Sequence, residues 1–105
     1  MYRGTTPSIN FVVPQDTPIA ELSELYITFN QENKTVLEFS KSSDEVEFVI
    51  SENTIRVNLT QEDTLKLNAD YKVQIQLRAK TVGGVALATP IMKKDVLRIL
   101  KDGVI

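Results

Sequence analysis

Apolar and polar residues alternate along most of this chain, most regularly between Tyr71 and Lys80. There Tyr71, Val73, Ile75, Leu77 and Ala79 alternate with Lys72, Gln74, Gln76, Arg78 and Lys80. A period of two is that of a β-strand with one buried and one wet face. The same period picks out Ile9, Phe11 and Val13; Leu25, Ile27 and Phe29; Leu37 and Phe39; Val46, Phe48 and Ile50; and Ile55, Val57 and Leu59. The first of these runs ends at Pro14, which cannot donate to a ladder, so it predicts an edge strand.

Turn residues divide these runs. Gln31-Glu32-Asn33-Lys34 and Ser51-Glu52-Asn53 each join two strands into a hairpin, and the polar run Lys41–Asp44 separates the two hairpins. Asp16-Thr17-Pro18 predicts about one helical turn, with Thr17 as cap and Pro18 where its missing N–H costs nothing. Thr60 and Asp63 have capping-box spacing, which predicts a second short helical turn that drops Leu65 and Leu67 onto the core. Tyr71 follows at the head of the most regular strand. In immunoglobulin-like sandwiches a tyrosine at this corner buries its ring and bonds its hydroxyl to upstream backbone.

Two registers are open for the last hairpin, around Gly83-Gly84. A two-residue loop turns Ala86, Ala88 and Met92 inward, and one more loop residue selects Leu87 and Ile91. Pro90 predicts a break or a free edge there. The tail from Lys93 to Ile105 fits a short helix from Asp95 to Gly103 and also a strand through Val96, Arg98 and Leu100; its β-branched content favours the strand. About seven short strands with one or two helical turns, spaced by frequent turn signals, predict an all-β, immunoglobulin-like antiparallel β-sandwich forming a single domain over residues 1–105.

Composition narrows the chemistry. The chain has neither cysteine nor histidine. Disulfides, thiolate catalysis and cysteine-ligated zinc are therefore excluded, and the commonest general base and metal ligand is missing. Twelve basic against fourteen acidic residues leave a formal charge of −2, which gives no bias toward nucleic acid or an anionic membrane. No run approaches the roughly 20 apolar residues of a membrane span, and the opening segment has no signal-peptide core. The expectation is a protein that stays in the cytoplasm.

No constellation points to catalysis, a cofactor or a metal. Asp44, Glu45 and Glu47, and the pair Glu62 and Asp63, lack calcium-loop spacing. Gly83-Gly84 lacks the rest of a phosphate loop, and the Asn33-Lys34-Thr35 and Asn58-Leu59-Thr60 tripeptides have no secretion signal to make them glycosylation sites. The outer face of the most regular strand carries no aromatic for stacking on bases or sugars. What stands out is an apolar residue at a predicted wet position in each of the first four strands, namely Val12, Tyr26, Val36 and Val49. Gathered into one patch they would make an interface, and scattered singly they need no explanation. Val104 and Ile105 add an apolar end that either folds back or is covered.

MYRGTTP at the start, LTQEDTLKL at the turn, VQIQLRAKTVGGVALAT through the last hairpin and ILKDGVI at the end resemble small proteins encoded among the tail and structural genes of phages and prophages of Gram-positive bacteria. The pattern is similar, more distantly, to the immunoglobulin-like N-terminal domain of phage baseplate upper proteins. The resemblance extends over nearly the whole chain. It implies a non-enzymatic tail or baseplate component, found in the host cytoplasm during assembly and then in the virion. Its partners would be other phage structural proteins or itself, with no nucleic acid, membrane or small-molecule substrate, and no catalytic residue carries across. A small carbohydrate-binding or adhesion module is the alternative; exposed aromatics would carry it, and Tyr2 and Tyr26 are the candidates.

Overall fold

The computed structural model describes residues 1–105. Eight strands form two antiparallel sheets: β1 (Ser8–Val12), β2 (Leu22–Gln31), β3 (Lys34–Ser40), β4 (Val46–Val49), β5 (Thr54–Asn58), β6 (Val73–Thr81), β7 (Ala86–Ala88) and β8 (Met92–Lys94). One sheet has the order β1-β5-β4. The other has the order β3-β2-β6-β7, with β8 also on β6. The all-β sandwich expected from the alternation is therefore present. Its second strand lies in the larger sheet between β3 and β6, whereas the immunoglobulin constant order sets it beside the first and fifth strands.

The inward positions of both sheets meet in one core. Phe11, Ile55 and Val57 from the smaller sheet share it with Leu25, Ile27, Phe29, Val73, Ile75 and Leu77 from the larger. Phe29 and Phe39 pack edge to face with centroids 5.8 Å apart. The β2–β3 hairpin turns at Glu32 and Asn33, whose φ values of 51° and 62° give the positive-φ pair that a two-residue hairpin loop requires.

Side-chain amides pin the connections between sheets. Asn53, at φ 46°, donates from Nδ2 to the carbonyls of Val13, Pro14 and Thr17 and accepts from the Ile19 amide at Oδ1. One asparagine thus anchors the long β1–β2 connection. The expected cap at Thr17 is corrected by this arrangement. Pro18 occupies the cap position of a 3₁₀ turn over Ile19–Glu21, without a side-chain cap bond, and the Thr17 carbonyl goes to Asn53.

The capping box is present at the helix α1 (Gln61–Leu65). Thr60 Oγ1 accepts from the Asp63 amide at 3.1 Å, and Asp63 Oδ2 accepts from the Thr60 amide at 2.9 Å. The Arg3 guanidinium reaches the other end of the helix, donating to the carbonyls of Leu65 and Leu67. Groups that every helix C-terminus leaves unpaired are satisfied in this way from the far end of the sequence.

The tyrosine corner is not formed. Tyr71 precedes β6 by two residues and is 42% exposed. Gln31, buried at the end of β2, closes the corner instead. Its Nε2 donates to the carbonyls of Asn68 and Tyr71, and its Oε1 accepts from the Asn68 amide. Ile50 is also corrected, since the chain leaves β4 into a 3₁₀ turn over Ile50–Glu52 and exposes that side chain.

Between β6 and β7, Thr81 N–H donates to the Val85 carbonyl at 2.9 Å, so three residues, Val82 to Gly84, make the turn inside that pair, with Gly84 at φ 91°. That register turns Leu87 toward Ala79 and leaves Ala86 and Ala88 exposed. Past Thr89-Pro90 the register shifts by one, so that Met92 faces Ile75 and Ile91 is exposed. Each of the two registers is thus right on one side of the proline. The strand expected beyond Lys93 stops at Lys94, because β6 begins at Val73 and offers no further partner. The chain crosses instead to the N-terminus, where Leu97 donates to the Met1 carbonyl and accepts from the Arg3 amide, and where Val96 is buried.

Candidate functional site

The apolar residues singled out from the sequence do not gather into one patch. Val12 and Val49 both face Thr54 across β5, on the outer side of the smaller sheet. Tyr26 lies on the outer side of the other sheet, between Ser40 and Arg78. Val36 is the extra residue of a bulge opposite Phe29 and Asn30 and packs against the core. The two sheets turn their outer faces in opposite directions, which is why period-two positions from different strands part company. At the C-terminus, the Ile105 backbone bonds the Gln61 side-chain amide at both its N–H and its carbonyl, while the Val104 and Ile105 side chains stay exposed.

The smaller sheet offers an open edge at β1. Leu59 N–H donates to the Pro7 carbonyl and Val13 N–H to the Asn53 carbonyl, each at 3.0 Å. Antiparallel ladders alternate, so Ile9 and Phe11 also aim their backbone groups at β5. Ser8, Asn10 and Val12 aim theirs the other way, and β5 is the only strand that pairs with β1. All three residues are exposed, Val12 to 71%.

A hydrogen-bonded row runs across the outer face to this edge. Arg56 bonds Glu47 on β4 at 3.4 Å and donates from Nε to Asn10 Oδ1 at 2.8 Å. Asn58 also joins Glu47 to β1, donating from Nδ2 to Glu47 Oε1 and accepting from the Ser8 hydroxyl at Oδ1. Glu47 is thereby committed to Arg56 and Asn58, and Asp63 to the helix cap. One carboxylate of each acidic group considered for a cation therefore has partners within the protein.

The other exposed feature is a shallow concavity of about 440 Å³ on the larger sheet. Tyr26, 45% exposed, lines it together with Glu24, Thr28, Glu38, Arg78, Lys80 and Ala86. The register puts Glu24 opposite Lys80 and Tyr26 opposite Arg78, yet none of these charges makes an ion pair in the structure. The alternation marks Tyr26 but not the charges lining the concavity with it, because the pairing of β2 with β6 is not written in either strand alone.

Compared with known proteins, the chain matches no family model, no curated protein and no solved structure. No helix is long and apolar enough to cross a membrane.

Proposed function

We propose that this protein is a non-enzymatic structural or accessory component of a phage tail or baseplate that works through protein–protein contacts, present in the host cytoplasm during assembly and then in the virion. The tail or baseplate setting comes from the sequence resemblance. The mode of action rests on the open edge of β1, whose outward backbone groups at Ser8, Asn10 and Val12 are a template for another strand. Main-chain hydrogen bonds supply the affinity in such contacts, and alternate side chains supply the specificity. Size-exclusion chromatography with light scattering, of the protein alone and mixed with phage tail proteins, tests this reading. A stable complex or self-association supports it, and a strict monomer that binds none of them overturns it.

The Tyr26 concavity favours a second reading, a carbohydrate-binding or adhesion module. An exposed ring stacks on a sugar face while carboxylates and basic groups at its rim bond the hydroxyls. Glycan-array binding lost in Tyr26→Ala supports that reading, and an array without hits removes it.

A further inference from the structure

The four sheet edges are not equivalent. β3 is interrupted by the bulge at Val36 and begins with Lys34; β4 has four residues with Glu47 among them; and β7 and β8 are three residues each, broken apart at Pro90, with Lys93 and Lys94 in β8. Charge, bulge, proline and shortness are the devices by which sheets discourage edge-to-edge pairing. β1, Ser-Ile-Asn-Phe-Val, carries none of the first three.

On this edge the side chain of Asn10 is half used. Its Oδ1 accepts from Arg56 Nε at 2.8 Å, which leaves a lone pair on the oxygen and both protons on Nδ2. The row from Glu47 through Arg56 to Asn10 therefore ends at the open edge on a group that is donor and acceptor together. Such a group is complementary to itself.

We infer that β1 pairs antiparallel with β1 of a second copy about a two-fold axis at Asn10, giving one continuous sheet of order β4-β5-β1-β1-β5-β4. This deepens the protein-contact reading and rests on it. Ser8, Asn10 and Val12 exchange their outward N–H and C=O groups with Val12, Asn10 and Ser8 of the other copy. The two Asn10 amides bond each other reciprocally and join the two polar rows. No charged side chain lies within β1, so the pairing sets no like charges directly opposite, as a β8 pair with Lys93 and Lys94 would. The two-fold axis makes the contact closed, so it yields a dimer and not a fibre.

Because the chain contains no cysteine, the register can be read by single-cysteine cross-linking. Directly opposed residues at a hydrogen-bonded position have Cα atoms about 5.5 Å apart, within disulfide reach. Ser8 lies about 14 Å along the strands from its own counterpart, and so does Val12, which is too far. Under mild oxidation with oxidised glutathione, Asn10→Cys is expected to form a covalent dimer. Ser8→Cys and Val12→Cys each form no disulfide-linked dimer alone and cross-link to each other when mixed. Asn10→Pro, which removes an outward N–H and with it the side-chain amide that accepts from Arg56, is expected to keep the fold by circular dichroism and lose dimerisation in light scattering. A folded Asn10→Cys chain that stays monomeric overturns the two-fold pairing, and so does a mixture of Ser8→Cys and Val12→Cys that fails to cross-link. If the wild type still associates in that case, or binds a phage tail protein, the protein-contact reading stands without this interface; a monomer that binds nothing removes both.

Discussion

The side chain of Gln31 and the backbone of Asn68 bond each other reciprocally, Nε2 to the Asn68 carbonyl at 2.7 Å and the Asn68 amide to Oε1 at 2.9 Å. A glutamine amide here imitates one rung of a β-ladder, fastening the chain between α1 and β6 to the end of β2. The same Nε2 holds the Tyr71 carbonyl, so this glutamine closes the corner where a tyrosine was expected.

Removing that amide leaves partly buried backbone groups without partners. Gln31→Ala is expected to cost about 2–3 kcal/mol, on the scale of one to two unsatisfied polar groups. Tyr71→Phe, which alters only an exposed ring, is expected to stay within about 0.5 kcal/mol of wild type. Urea denaturation followed by circular dichroism checks both, and the reverse ranking would contradict the account of the corner.

The helix cap provides a smaller and more local test. Thr60→Ala removes one half of the capping box and is expected to cost about 1 kcal/mol. In a protein of this size that lowers Tm by roughly 4–8 °C. Calorimetry on Thr60→Ala and Thr60→Ser separates a lost hydroxyl from a lost methyl, because only the alanine variant is expected to lose the bond.

Gly4 ties the two chain ends together. Its φ of 71° lies where side chains are rarely accommodated, and an added Cβ would sit 3.0 Å from Ile99 Cδ1 and 3.4 Å from Leu65 Cδ2. Gly4→Ala is expected to destabilise by about 1–3 kcal/mol from backbone strain alone. Gly84→Ala also falls at a positive φ, 91°, but with nothing within 4 Å of the added carbon, so it reports the strain without the crowding. Comparing the two melting curves separates the terms, and a Gly4→Ala cost no greater than that of Gly84→Ala would contradict the packing of the tail on the N-terminus.

The strands were legible because burial imposes period two on each of them, and Phe11, Phe29 and Ile75 fall where the alternation puts them. The capping box was legible because its two partners are three residues apart. Gln31, Asn53 and Arg3 were not, since each acts on backbone 34 to 64 positions distant and sits in an ordinary turn or terminus in the sequence. The single apolar patch failed for a related reason. Val12 and Tyr26 share a period but not a sheet, and sheet membership is a long-range property. The positive φ at Asn53 had a visible cue, as asparagine tolerates the left-handed region, but nothing local indicated how many bonds its amide would make.

The open edge of β1 is tested most directly by amide hydrogen exchange, read residue by residue by NMR in dilute protein and again on concentration or on addition of a protein found to bind it. In the dilute sample the Ser8, Asn10 and Val12 amides are expected to exchange fast, while those of Ile9 and Phe11, held by β5, exchange slowly. On association the three outward amides are expected to become protected together. If they remain fast while the protein associates, its contacts are made elsewhere and the central claim fails.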